Sequence, residues 1–380
     1  MRADVPHRAD IADRELLGDL AEACHWWSNQ STWRVSSSYT GGGVIAEFEC
    51  LVGRQVAGDA VALALPSATA ALVTALRALG IPPGATIGVP ALDWVTAGAA
   101  ASLLGIRTRA LAVSHVNGLL DPAGLSERPG SDLAALVAVH RQGIACDVPA
   151  LRRAWPDVPV IEDASGAWAA RYPGGEPVGS AGDACAFSFD AARTPSAGEI
   201  GCLVTRSPAL GTRALELTQH PVRQLMAGVL RPKNDQPMMR VAPAAALLGA
   251  YAVQRHAAQA PLLKQAGREL AGKLDRAGLT VLGDPKWCAP GVIAVRAEQA
   301  RVRAATRGLR LGDGVMVASV RQADLSVHPD AADDPRLREL AAMTTTVVLA
   351  RRKKSQVSSA SKLRAAGQPG AEAPAGRGRE

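Results

Sequence analysis

A regular alternation constrains this chain more than anything else in its sequence. Short, continuously apolar runs recur at 60–65 (AVALAL), 85–89 (ATIGV), 108–113 (TRALAV), 133–139 (LAALVAV), 158–162 (VPVIE), 184–189 (ACAFSF) and 201–205 (GCLVT). Each is as long as a strand, and the gaps between the first five hold helix-like stretches such as TAALVTALRALG and WVTAGAAASLLG. Strands that alternate with helices pair through crossovers into a mostly parallel sheet. Runs that are apolar throughout, instead of at every second residue, belong in a sheet covered on both faces. The expectation is an α/β domain with a mostly parallel, seven-stranded sheet.

Around that domain the pattern changes. Residues 14–27 (RELLGDLAEACHWW) have the spacing of a short amphipathic helix, and STWRVSSSYTGGG after it reads as a loop. Beyond residue 206 a proline-spaced loop, RPKNDQPMMRVAP, leads into a long helix over 244–276. Weak strands (TVLG, GVIAV), helices near AEQARVRAATRG and PRLRELAAM, and a TTTVVL run then suggest a small α+β unit. The expected organisation is an N-terminal helix and loop over 1–39, a large α/β domain over 40–235, a small α+β domain over 236–350 and a disordered basic tail over 351–380.

The net charge of +7 invites a nucleic-acid reading, but residues 351–380 hold eight basic and two acidic residues and so carry +6 of it. The other 350 residues are nearly neutral, so nucleic acid is not an expected partner. No apolar stretch reaches the ~18 residues of a membrane helix, and the N-terminus mixes charges from the start, so a cytoplasmic protein is expected. The six cysteines and seven histidines lack the close spacing of a metal site, so reduced thiols and no metal are expected.

Ligands of a parallel sheet bind beyond the C-terminal ends of its strands. After 60–65 comes Pro66-Ser67-Ala68-Thr69, where a helix begins; its free amides suit an anion, or Ser67 or Thr69 simply caps the helix. After 85–89 comes Trp94, which could stack on a flat ring or fill the core. After 158–162 comes Asp163, whose burial calls for a cationic or protonated partner or a capping role. After 184–189 come Asp190 and Arg193, then Gly198-Glu199-Ile200-Gly201.

Taken in order, SATAAL, PALDWVTA, VHRQG, VIEDASGA, VGSAGDACAFSF and GEIG, with EFE at 47–49 and GIPPGATIGVP at 80–90, resemble the DegT/DnrJ/StrS family of sugar aminotransferases. The resemblance covers residues 40–205 well, the small domain loosely and the tail not at all. It implies the fold-type-I architecture of enzymes that use pyridoxal phosphate (PLP). On the matching positions, Ala68 and Thr69 fall where amides hold the cofactor phosphate, and Ser188 where a hydroxyl joins them. Trp94 falls where an aromatic stacks on the pyridine ring. Asp163 falls at the carboxylate that pairs with the ring nitrogen and makes the ring an electron sink.

The departures fall on the chemistry. The family's Schiff-base lysine aligns with Arg193, and an arginine stays protonated, so it can neither condense with an aldehyde nor shuttle a proton. No lysine precedes Lys233, which is a poor candidate for a substitute base on its proline-rich loop. Gly166 stands where the family has His or Gln, Ile200 interrupts its Gly-Glu-Gly-Gly, Met238 stands at its interface asparagine and Pro243 at an acid, while Arg240 is kept. The reading is an aminotransferase-like protein of nucleotide-sugar or aminocyclitol biosynthesis, impaired in catalysis. It would pair as a homodimer or as a heterodimer with an active paralogue, and could take a nucleotide-sugar ligand. The alternative is an active enzyme of altered chemistry on a sugar or amino sugar. PLP or the amine form, pyridoxamine phosphate (PMP), would bind non-covalently if at all.

Overall fold

The computed structural model describes residues 18–30, 36–93, 95–123, 132–307, 309–311, 315–323 and 325–351. Trp94 and the basic tail beyond residue 351 therefore lie outside the described residues, as do 1–17.

Seven strands form the main sheet: β1 (Val61–Leu65), β2 (Thr86–Pro90), β4 (Arg107–Leu111), β5 (Ala135–Val139), β6 (Val160–Asp163), β7 (Ala184–Ser188) and β8 (Gly201–Thr205). Their spatial order is β1-β8-β7-β6-β5-β2-β4. The β4-β2-β5-β6-β7 block is parallel, and β8 runs antiparallel to both β7 and β1. All seven apolar runs are strands. β5, β7 and β8 are buried at every position, which is why their sequences carry no alternation.

Helices cover both faces. One layer is the helix Ala68–Ala78, which packs on β7 and β8 and on the helices Thr96–Leu103 and Pro208–Thr218. The other is the helix Val44–Val56, held against the long helix Pro243–Arg276. The three phenylalanines of this aromatic-poor chain converge on that second face. Phe48 and Phe189 meet edge to face at 5.4 Å, and Trp168 packs on Phe187 and Phe189 at 5.2 and 5.0 Å. Glu49 ties the layer down. Its carboxylate takes Arg223 Nη2 at 2.6 and 2.8 Å and the Ala64 amide at 2.8 Å, which ties this helix to β1.

A second sheet, in the order β11-β12-β14-β10-β9, is antiparallel throughout. It comprises β9 (Thr280–Leu282), β10 (Val292–Arg296), β11 (Arg310–Leu311), β12 (Val315–Gln322) and β14 (Thr344–Arg351). β12 lacks a sequence signal because its buried and exposed positions do not alternate cleanly and a bulge interrupts it between Val317 and Ser319. The long helix serves both sheets. Ala246, Ala250 and Val253 in its first half belong to the main core, and Leu263, Ala266, Leu270 and Leu274 to the second. A two-stranded ladder, β3 (Leu92–Asp93) with β13 (Ser326–Val327), stitches the loop after β2 to the segment that follows β12. That ladder closes one wall of the site. Among the described residues no helix is long and apolar enough to cross a membrane.

Candidate functional site

A cavity of about 290 Å³ opens at the C-terminal ends of β2, β5, β6 and β7. Asp93, Thr96, His140, Arg141, Gln142, Asp163, Gly166, Asp190 and Arg193 line it from the large domain. Val292, Arg321, Gln322, Leu325, Thr346 and Val348 close it from the small one.

Asp163 ends β6 at 3% exposure, and its Oδ1 accepts the Ser165 amide at 3.0 Å. A carboxylate this buried at a strand tip is expensive to desolvate without a cation or proton donor. Beside it, Arg193 donates from Nε to Asp190 Oδ2 at 3.0 Å, and the same oxygen accepts the Ser188 hydroxyl at 2.9 Å. Asp190 Oδ1 caps the turn through the Ala192 amide. Arg321, on β12, reaches across to the Ala192 carbonyl. Burial, and then the charge of Asp190, push the Glu199 carboxyl up.

Arg193 and Gly166 are neighbours. A Cβ placed on Gly166 would stand 3.8 Å from Arg193 Nη1 and 3.5 Å from the Gln142 amide nitrogen. The two departures from the family's pattern are therefore spatially matched, the larger cation facing the smaller neighbour. Among the described residues no lysine lines the cavity. Lys233 pairs instead with Glu216 at 3.5 Å, outside it.

The helix Ala68–Ala78 begins one strand-end away. Ser67 is its cap, with Oγ accepting from the Ala70 amide at 3.2 Å. The amides of Ala68 and Thr69 lie in the first turn, where helical geometry gives an N–H no partner. In the main sheet Gly201 sits opposite both Leu65 and Ser188, which puts Ser188 next to the Ser67–Ala68 peptide. The approach is close enough that a Cβ on Gly201 would stand 2.2 Å from the Ser67 carbonyl carbon. Gly198 has φ +83°, a conformation that favours glycine, and Ile200 turns wholly into the core. So the two glycines of GEIG that the backbone requires are kept, and the substituted one faces apolar packing. Ala68, Thr69 and Ser188 adjoin the cavity but do not line it, and the Ser188 hydroxyl hydrogen is engaged by Asp190.

Beneath the cavity lies a second polar cluster. Glu162 is wholly buried and accepts from His140 Nε2 (2.9 Å), the Tyr172 hydroxyl and the amides of Gly179, Ala181 and Gly182. His140 Nδ1 accepts the Cys146 amide at 2.9 Å, which leaves the ring proton on Nε2 and the imidazole neutral. Burial alone would raise the Glu162 carboxyl. His140, Tyr172 and the Gly182 amide outweigh it and hold the carboxyl below its ordinary 4.5. With every donor satisfied, this cluster is a structural brace under Asp163. Its stability is present above the ordinary carboxylate range and lost as pH falls through the depressed value in the folded chain. Glu162→Gln turns an amide NH₂ towards these donors and should lower the unfolding free energy by about 3 kcal/mol or more. Urea melts at neutral pH measure that loss, and the variant's stability should fall less than the wild type's below pH ~4.5.

Sequence reasoning located Asp163 and Arg193 in one pocket but overlooked Arg141. The rule applied to Asp163, that a charge at the tip of a buried strand needs a partner, applies equally to Arg141 after β5.

The sequence model of the DegT/DnrJ/EryC1/StrS aminotransferase family matches residues 29–231, just over half of the chain. Among curated relatives, protein MosB of Rhizobium meliloti is 33% identical over 182 residues, 47% of this chain and 36% of the relative. The 3-amino-5-hydroxybenzoate synthase of Amycolatopsis mediterranei (strain S699) is 32% identical over 200 residues, 51% and 47% of the two lengths. The L-glutamine:scyllo-inosose aminotransferase of Streptomyces griseus is 31% identical over 191 residues, 49% and 44%. The matches thus span less than half the length of these relatives. Among solved structures, a 3-amino-5-hydroxybenzoic acid synthase superposes with a TM-score of 0.65 at 22% identity, covering 88% of this chain and 90% of that one. NtdA of Bacillus subtilis, solved with bound PMP, superposes with a TM-score of 0.67 at 16% identity, covering 89% and 79%. At these identities the likeness is one of fold, the fold-type-I architecture of an α/β unit with a large, mostly parallel sheet.

Proposed function

The chain belongs to the DegT/DnrJ/EryC1/StrS aminotransferase family, and from that premise we propose that it keeps the family's cofactor site without its covalent attachment. In this reading PLP or PMP binds non-covalently. The protein serves the cytoplasmic biosynthesis of a sugar- or cyclitol-derived secondary metabolite, as the partner subunit of an active paralogue. The observation that carries it is Arg193, tied to Asp190 at the attachment position of a cavity that no lysine among the described residues lines.

The residues fit the cofactor at two of its three contacts. Asp163 has the burial and the position to hold a proton at the ring nitrogen. The first-turn amides of Ala68 and Thr69, with Ser188 alongside, suit the phosphate, provided Ser188 redirects its hydroxyl from Asp190. At the third contact Arg193 cannot attach the cofactor, nor take a proton from a substrate carbon, because its guanidinium stays charged at any working pH. When bound, the cofactor supplies an electron-withdrawing ring; this chain's residues can hold and orient it, and none of those around Arg193 replaces the missing base.

A partner surface supports the second half of the reading. Val222, Leu225, Met226, Leu230 and Met238 expose apolar side chains between residues 222 and 238, Leu230 at 93%. Tyr39 joins them, stacked under Arg240 at 4.6 Å. An apolar surface of this kind marks a protein interface. A partner seated here would meet the loop that carries Met238, the position of the family's interface asparagine.

The test is cofactor binding by Asp163→Asn, which can keep the bond to the Ser165 amide but loses the charge. Equilibrium dialysis should find PMP bound to the wild type and about 10- to 100-fold more weakly to the variant, the worth of a charge-assisted bond. Equal binding by the two proteins would remove Asp163 from the site.

A further inference from the structure

Arg193 uses one nitrogen of its guanidinium. Nε donates to Asp190 at 3.0 Å, while Nη1 and Nη2 make no hydrogen bond among the described residues. Neither is sealed in the interior, since 31% of the side chain is exposed and the buried nitrogens that lack a partner belong to other residues. The edge they form is turned to the cavity. Nη1 stands 3.8 Å from the position of a Cβ on Gly166, and Gly166, Gln142 and Arg193 all line the space. Gly166 has no side chain to cover Nη1.

A guanidinium carries only donors. The hydrogens on Nη1 and Nη2 therefore call for an acceptor oxygen, best an anionic one, and they repel another cation. The rest of the lining does not decide the matter by its summed charge, because three aspartates (Asp93, Asp163, Asp190) balance three arginines (Arg141, Arg193, Arg321). What distinguishes one ligand group from another beside Gly166 is the donor edge itself.

An amine at position 193 would attach through the substituent on carbon 4 of the cofactor ring, so a cofactor bound in this cavity brings that substituent to Arg193. It is also the one group by which the two forms differ. PLP carries an aldehyde there, whose oxygen is an acceptor. PMP carries an aminomethyl group, which like a lysine amine is protonated at neutral pH and offers only donors.

We propose that Arg193 makes the cavity selective for the group on carbon 4 of the ring, taking an aldehyde or a carboxylate there and disfavouring the ammonium of PMP. The selectivity rests on the reading of the cavity as a cofactor site and sharpens it: Arg193 becomes a binding determinant for the oxygen-bearing forms. PMP still binds, through the same phosphate and ring contacts, and is the weakest of the series.

The test titrates the full-length chain calorimetrically with three ring phosphates that differ only at carbon 4. They are 4-pyridoxic acid 5′-phosphate, with a carboxylate, pyridoxine 5′-phosphate, with a neutral hydroxymethyl group, and PMP. None bears an aldehyde, so none can react with a lysine elsewhere on the chain. The acid should bind the wild type about tenfold or more tightly than PMP, with the alcohol between them. Arg193→Gln removes the charge and should bring the acid and PMP to within about threefold of each other, chiefly by weakening the acid. PMP binding the wild type as tightly as the acid overturns the proposal without any variant, and so does a preference that Arg193→Gln leaves unchanged. If all three bind alike, the cofactor reading stands and the selectivity falls; if none binds, both fall.

Discussion

Arg193→Lys should turn a protein that holds its cofactor loosely into one that bonds to it. Saturated with PLP and reduced with borohydride, the variant should carry the reduced cofactor on the introduced lysine in most chains, as peptide mass spectrometry would show. The guanidinium Nε is held by Asp190 at 3.0 Å, and its cationic state denies it a lone pair for the aldehyde. A lysine amine has an ordinary pKa near 10.4, and small environmental shifts bring a nucleophilic fraction within reach. Gly166 leaves space beside position 193, so the exchange crowds nothing. Failure of the introduced amine to label, in a variant that still binds PMP, would mean that the aldehyde of bound PLP does not face this position.

Gly201→Ala should have the second large effect. The added methyl would sit 2.2 Å from the Ser67 carbonyl carbon and 2.6 Å from the Ala68 nitrogen, both of them backbone atoms. No rotamer relieves that contact, so the helix start has to shift off the sheet edge. Overpacking of this kind costs about 1–3 kcal/mol. The displaced amides are those assigned to the phosphate, so PMP affinity should fall by about tenfold or more, each 1.4 kcal/mol being a factor of ten. Ile200→Ala provides the contrast. It opens a core cavity and lowers stability, by about 2–5 kcal/mol, while cofactor affinity in the folded fraction should be kept. A Gly201→Ala protein that binds PMP as the wild type does would remove the Ala68–Thr69 turn from the site.

Much of the architecture was written in the sequence because burial wrote it there. β5, β7 and β8 are enclosed on both faces, so their apolar runs stand out against any helix. β12 was invisible because one of its faces is partly wet and a bulge breaks its period. β3 and β13 are two residues each, too short to carry any pattern. In the site, Asp163 and Arg193 were legible by position along the chain. Their companionship with Gly166 was not, since 26 residues lie between Gly166 and Arg193 and only the fold brings them together. Read one position at a time, Gly166 and Ile200 look like decay. In three dimensions Gly166 makes room for Arg193, and Ile200 fills core. That neighbourhood is compatible with the proposed non-covalent cofactor site.

The most direct measurement of that account is the intact mass of the wild-type chain after saturation with PLP and borohydride reduction, read beside PLP's effect on its melting temperature. The account predicts a raised melting temperature and an unchanged mass. A mass increased by one reduced cofactor, mapped to Lys233 or any other lysine, would contradict it, and so would a melting temperature that PLP and PMP both leave where it was.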